Sequence, residues 1–190
     1  MLGTPIIYDR RFLRLLPQKP WARLLHSHGV FTEGPVWFAD QGCLLWSDIP
    51  ANRIMRLAPD ETVSVCRADS HHTNGNTRDR QGRLVSCGHS GRRVTRTEID
   101  GTITVLADSF EGKLLNSPND VVVKSDGSVW FTDPDYGIRL HIPDGAKQQE
   151  RDHVFRVDPA SGGITAVASD FDKPNGLAFS PDERVLYIAD

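Results

Sequence analysis

The sequence predicts an all-β fold, a β-propeller of which these 190 residues make about three and a half four-stranded blades. Three observations predict it. Short apolar runs alternate with tight polar turns, and the helical period is hard to find anywhere. Gly34, Gly75, Asp120 and Gly176 each stand just ahead of such a run, at spacings of 41, 45 and 56 residues. A second, plainer hairpin follows each of the first three, and four strands repeated every 40 to 50 residues or so is the period of propeller blades.

The first unit runs Val36-Trp37-Phe38, then the turn Asp40-Gln41-Gly42, then Cys43 to Trp46. Arg53–Leu57 and Val63–Val65 form its outer hairpin. In the second unit the turn Asp79-Arg80-Gln81-Gly82 leads into Arg83–Ser86, and the outer pair is Val94–Arg96 with Thr102–Leu106. The third pairs Val121–Val123 with Val129–Phe131 across Ser125-Asp126-Gly127, followed by His153–Val157 and Gly163–Val167. Its longer spacing comes from Tyr136–Arg151, a polar insertion with Pro143, Asp144 and Gly145 that reads as a loop. The fourth joins Leu177–Phe179 to Val185–Ile188 through Ser180–Glu183 and ends at Asp190. Aspartate, glycine and proline at these corners are the residues tight turns need. Propellers close with about four to eight blades, so the chain is expected to be a fragment, a truncated product, or one that a partner completes. Self-association through the open edge is one such outcome. Trp37, Trp46 and Trp130 lie on strands and read as core packing.

Residues 1–20 read as an N-terminal extension and 21–190 as the propeller domain. Arg10, Arg11, Arg14 and Lys19 lie in the extension, which lacks the apolar core and cleavage site of a secretory signal. A cytoplasmic enzyme is expected. A net charge of −3, from 22 basic and 25 acidic residues, gives no footprint for nucleic acid. No run approaches the length of a transmembrane helix. Cys43, Cys66 and Cys87 have no Cys-x-x-Cys spacing and read as reduced, buried thiols.

The chemistry-bearing residues sit at the strand starts. Glu33 stands immediately before the first apolar strand, where the competing reading is an exposed turn glutamate. Asn119-Asp120 and Asn175-Gly176 hold the equivalent place in the third and fourth units, and each pair is also an ordinary turn former. The innermost strands of a propeller all start at one mouth of its axial channel, so these positions converge. One carboxylate and two amide oxygens make a hard site suited to Ca²⁺ or Mg²⁺. His89, after Cys87-Gly88, is a candidate general base or substrate contact, and equally a structural histidine. His71-His72 reads as solvent-exposed, and Asp48 and Asp133 as caps of the turns that follow them. No nucleophile elbow, P-loop or Gly-x-Gly-x-x-Gly occurs, which removes support for serine-hydrolase and nucleotide chemistry.

Glu33-Gly34-Pro35-Val36-Trp37, Leu45–Pro50, Asn74–Leu84, Arg92–Arg96, Asn116–Val123, Trp130–Pro134 and Lys173–Leu177 together resemble the gluconolactonases, sugar-lactone hydrolases related to regucalcin (senescence marker protein). The likeness is to the bacterial branch and runs over nearly the whole chain. It implies a six-bladed propeller with one divalent cation in the channel, Ca²⁺ foremost, with Zn²⁺, Mg²⁺ or Mn²⁺ as alternatives. Glu33, Asn119 and Asn175 would be its ligands, and Asn119 and Asn74 would contact substrate. A further aspartate ligand, the natural base, would come from a blade beyond Asp190, leaving Asp120 and His89 as the catalytic candidates here. The implied reaction is hydrolysis of a lactone such as glucono-1,5-lactone by cation-activated water. The expected partner is that small sugar lactone, not nucleic acid or a membrane. A broader lactonase or esterase of paraoxonase type, a calcium-binding or interaction propeller without turnover, and an inactive remnant are the alternatives.

Overall fold

A computed structural model describes residues 5–17, 22–143 and 145–190. The first sheet contains β1 (Thr32–Phe38), β2 (Cys43–Asp48), β3 (Arg53–Leu57) and β4 (Val63–Ala68). The second contains β5 (Thr73–Arg78), β6 (Leu84–Gly88), β7 (Arg93–Thr97) and β8 (Ile103–Ala107). A small ribbon, β9 (Ser109–Phe110) with β10 (Lys113–Leu114), precedes the third sheet. That sheet contains β11 (Val121–Val123), β12 (Val129–Asp133), β13 (His153–Val157) and β14 (Ile164–Ala168). Strands β15 (Leu177–Phe179) and β16 (Leu186–Ile188) close the series as a two-stranded sheet. Every four-stranded sheet is antiparallel with its strands in chain order. The first strands of successive sheets lie side by side, so the sheets radiate from a shared axis.

Turn chemistry explains the hairpins. The Asp79 carboxylate accepts from the backbone N–H groups of Gln81 at 3.0 Å and Arg83 at 2.8 Å. Asp126 accepts from Ser128 N at 2.8 Å in the third sheet. The repeat extends to irregularities. A bulge falls at Ile54/Met55, Val94/Thr95 and Val154/Phe155, the same place in each outer pair.

Burial follows the gaps between blades. Val36, Phe38, Cys43, Leu45, Ile54 and Leu84 fill the space between the first and second sheets. A larger cluster, centred on Val85, Val94, Phe131 and Phe155, fills the space between the second and third. Each fully buried side chain of this size contributes about 1.5–3 kcal/mol.

Several expectations are corrected. Tyr136–Arg151 is not all loop: it contains α1 (Tyr136–His141), whose Asp135–Arg139 ion pair spans its first turn at 2.9 Å. Asp144 lies outside the described residues. Trp37 is 56% exposed on β1, whereas Trp46 is buried and Trp130 is half-buried. Trp130 Nε1 donates to Ser128 Oγ at 2.9 Å. In the N-terminal extension Arg10–Leu15 form a 3-10 helix capped by the Asp9 carboxylate, and residues 1–4 and 18–20 are outside the described set. Among the described residues no helix is long and apolar enough to cross a membrane.

The three cysteines are free, but only Cys43 and Cys87 are buried, while Cys66 is exposed on β4. Burial also pushes the Cys87 thiol up. A disulfide-exchange reagent is therefore expected to titrate one thiol of the native protein and all three after denaturation. The C66S variant should show none in the native state.

Asp48 and Asp133 do not cap following turns; both are fully buried and tie down backbone arriving from elsewhere. Asp48 accepts from Val30 N and Phe31 N and pairs with Arg53 at 2.8 Å. Asp133 accepts from Asn116 N at 2.7 Å, and its Oδ1 has no hydrogen-bond partner among the described residues. Burial pushes the Asp133 carboxyl up to about 8, with Asp152 nearby adding to the rise and Arg92 opposing it. The folded state thus holds a proton that the unfolded chain releases near pH 4. This contribution to stability is complete below pH 4 or so and is lost as the pH climbs to about 8. Denaturant titrations from pH 5 to 8 should show wild type losing on the order of a few kcal/mol more than D133N. Equal slopes would refute the assignment.

Candidate active site

The inner strands deliver one polar residue each to the axis. Glu33, Asn74 and Asn119 directly precede Gly34, Gly75 and Asp120, and Asn175 precedes Gly176. In the first two sheets a bulge falls here, between Glu33 and Val36 and between Thr73 and Asn76. A bulge re-aims the side chains beside it. At Gly34 it requires φ of +57°, open to glycine at little cost.

Hydrogen bonds between blades fix these entry segments. Ser47 Oγ donates to Asn74 O at 2.7 Å, and Thr132 Oγ1 donates to Asn175 O at 2.8 Å. In the second sheet Cys87 holds the place of Ser47 and Thr132, and there Gly75 N donates to Asn119 O at 2.7 Å. Asn76 Nδ2 donates to Gly34 O at 3.1 Å, and Leu177 N to Asp120 Oδ2 at 3.2 Å.

Glu33, Asn74, Asn119 and Asn175 line two cavities at once and so form a collar between them. One cavity, about 550 Å³, takes in His89, Tyr136, Leu140 and His141. The other, about 290 Å³, takes in Asn76 and Asp120. The structure therefore brings together all six residues singled out in the sequence, with Asp120 and His89 on opposite sides of the collar. Glu33 and Asn175 are exposed, and Asn119 is 4% exposed. Among the described residues the Glu33 carboxylate and the Asn119 and Asn175 amides make no hydrogen bond or ion pair to protein. No three His, Cys, Asp or Glu side chains among the described residues converge as a metal-binding group. The donors on offer are one carboxylate and several amide oxygens. An all-oxygen set of this kind, with polar groups left unused at a buried position, fits a hard divalent cation.

Two groups carry shifted protonation. Burial, with the Glu33 charge adding to it, raises the Asp120 carboxyl above its ordinary range, against the backbone N–H of Leu177. His89 is 3% exposed, and burial pushes it down to about 3, helped by His141 and His72. It is neutral at pH 7, and a group of that pKa is a weak base there. Its Nε2 lies 3.3 Å from Asn74 Nδ2.

His72 departs from its expected exposure. It is half-buried, with its Nδ1 2.9 Å from Ser90 Oγ, while His71 is exposed. The His141 ring lies against His72 at 4.4 Å and His89 at 5.5 Å between centroids, nearly parallel to both. Tyr136, Leu140 and His141 were not found by sequence reading because six residues are too few to show a helical period. The Asp135–Arg139 spacing was the available signal.

Residues 31–190 match the model of the SMP-30/Gluconolactonase/LRE-like region. The chain is 32% identical over 202 aligned positions to the gluconolactonase of Zymomonas mobilis, covering 99% of this chain and 56% of that protein. It is 29% identical to a pentonolactonase of Haloferax volcanii, over 83% of this chain and 49% of the relative. The solved structure of a Xanthomonas campestris gluconolactonase superposes with a TM-score of 0.81 at 41% identity, covering 87% of this chain and 56% of that one. The chain thus spans about half the length of these relatives. A family match over the whole radial array, collar included, places this chain in the SMP-30/Gluconolactonase/LRE-like family.

Proposed function

We propose that the protein hydrolyses a sugar lactone of the glucono-1,5-lactone type to its aldonic acid, with one divalent cation in the collar. The observation that carries this reading is the convergence of Glu33, Asn119 and Asn175 on cavities that reach both sides of the collar. Lactonase relatives over most of the chain support the reaction class. Glu33, Asn119 and Asn175 would hold the cation, Ca²⁺ by the hardness of the donors, with Zn²⁺, Mg²⁺ or Mn²⁺ as alternatives. When bound, such a cation polarises a carbonyl and lowers the pKa of water. The reading includes a six-bladed ring, supported by the radial order of the sheets.

The chain's own residues do the rest. Asn119 offers an amide donor and acceptor to the substrate's hydroxyls, and Asn74 its amide oxygen. Tyr136 and Leu140 of α1 flank the 550 Å³ cavity and limit the water that reaches it. Asp120, raised by burial, is the carboxylate suited to hold a proton at its Oδ atoms on the far side of the collar. Acid release from glucono-1,5-lactone by the purified protein tests this. Turnover should vanish with EDTA and return with one added cation. Turnover indifferent to EDTA would overturn the cation's part, and no turnover with any cation would overturn the reaction.

A further inference from the structure

His89 follows β6 at the collar's edge, and its backbone and ring are both held in place. Its backbone N–H donates to His72 O at 3.3 Å, and its carbonyl accepts from Arg92 N at 3.1 Å. Helix α1 closes over it from the third sheet. A Cβ on Gly137 would lie 2.5 Å from His89 Cβ and Cγ, so only glycine lets the helix seat this close. Gly137 N donates to Ser117 Oγ at 2.8 Å, and Lys173 bridges Asp135 at 2.8 Å and Asp152 at 2.9 Å, which anchors both ends of the approach. From that helix His141 enters as the middle plate between His72 and His89.

One edge of the His89 ring remains in use. Nε2 faces the Asn74 amide, while Nδ1 is buried with no partner among the described residues. An amide nitrogen has only protons to offer, so Nε2 is the acceptor and the neutral ring carries its proton on Nδ1. Asn74 Nδ2 is thereby committed, and Asn74 Oδ1 is left as the amide's free acceptor in a residue that lines both cavities. We propose that His89 is a positioning residue rather than a base. Its Nε2 fixes the Asn74 amide so that Oδ1 joins the oxygens of Glu33, Asn119 and Asn175, and His141 holds the His89 ring in the plane this requires. The structural claim stands on these contacts alone; its catalytic consequence rests on the lactonase reading above.

Side-chain ¹⁵N NMR decides the role. Wild type should show His89 as the Nδ1–H tautomer with a bare Nε2, and an Asn74 side-chain amide protected from exchange. H89F keeps a flat ring but offers no acceptor and should lose that protection, while H89Q should restore it through Oε1. An Nε2–H tautomer in wild type, which needs no variant to fold, would overturn the proposal, as would an Asn74 amide unchanged in H89F. Lactone kinetics give a second arm. H89F should raise KM about tenfold, with a smaller loss in kcat, because the Asn74 amide it frees binds less well while the reacting groups stay in place. It should add nothing in an N74A background. An equal H89F loss with and without Asn74 would mean His89 acts on the chemistry directly. If wild type itself shows no hydrolysis the lactonase reading falls, while the NMR result still decides what His89 does.

Discussion

Replacing Glu33 with alanine is expected to lower kcat/KM for lactone hydrolysis by roughly a hundredfold or more while leaving the fold intact. The two halves of that expectation come from one fact. Glu33 is exposed at the bulge of β1, and its carboxylate has no hydrogen bond or ion pair to any described residue. A surface side chain without partners usually costs the fold less than about 0.5 kcal/mol when removed. In the collar, however, it is the one carboxylate beside the amides of Asn74, Asn119 and Asn175 among the described residues, and so the collar side chain that brings negative charge to a cation there. E33Q separates charge from shape. It keeps an amide oxygen in place and should lose cation affinity nearly as fully as E33A. Calorimetric titration with Ca²⁺ and with Mn²⁺, alongside melting curves, checks both halves. A variant that melts normally yet still binds the cation would remove Glu33 from the ligand set. A variant that melts early would mean the carboxylate has a structural part that the contacts do not show.

What was legible in the sequence was whatever local chemistry decides. The hairpins were written in turn residues such as Asp79 and Asp126, whose side chains bond the backbone two to four residues ahead. The collar was legible through register, because a residue ahead of each inner strand must reach the axis. By the same argument Asn74 belongs with Glu33, Asn119 and Asn175, since it precedes Gly75 as Glu33 precedes Gly34. What failed to show was decided between elements. Trp37 and Trp46 are alike in sequence and share one face of the first sheet, opposite Val36, Phe38 and Leu45, but only Trp46 is covered, with the His26 ring 5.8 Å away. The burial of Asp133 depends on where Asn116 arrives, 17 residues away. The His72–His141–His89 stack joins side chains from two sheets through a six-residue helix, and no spacing along the chain encodes that meeting.

The other large expected effect lies at Gly75, where stability and the site meet. An alanine there would place its Cβ 2.5 Å from Asn119 O, 2.5 Å from Asp120 Oδ1 and 2.6 Å from Asp120 Cα. Two of those atoms are backbone, so no rotamer change relieves the clash. The strands β5 and β11 must part, and with them goes the bond from Gly75 N to Asn119 O at 2.7 Å. We expect G75A to lose about 3 kcal/mol or more, the range of an overpacked interior position that also breaks a buried hydrogen bond. For a domain of this size that is a fall in melting temperature of about 10 °C. Gly101 supplies the control. A Cβ there meets nothing within 4 Å, and φ of +86° is the only obstacle. G101A should therefore cost about 1 kcal/mol. The two variants also differ in what they disturb. G101A changes an outer turn and should leave cation affinity alone, whereas G75A moves Asn119 and Asp120 together and should weaken cation binding even at temperatures where the variant is folded. Equal losses from both substitutions would mean that the close approach of β5 to β11 is not a constraint on the collar.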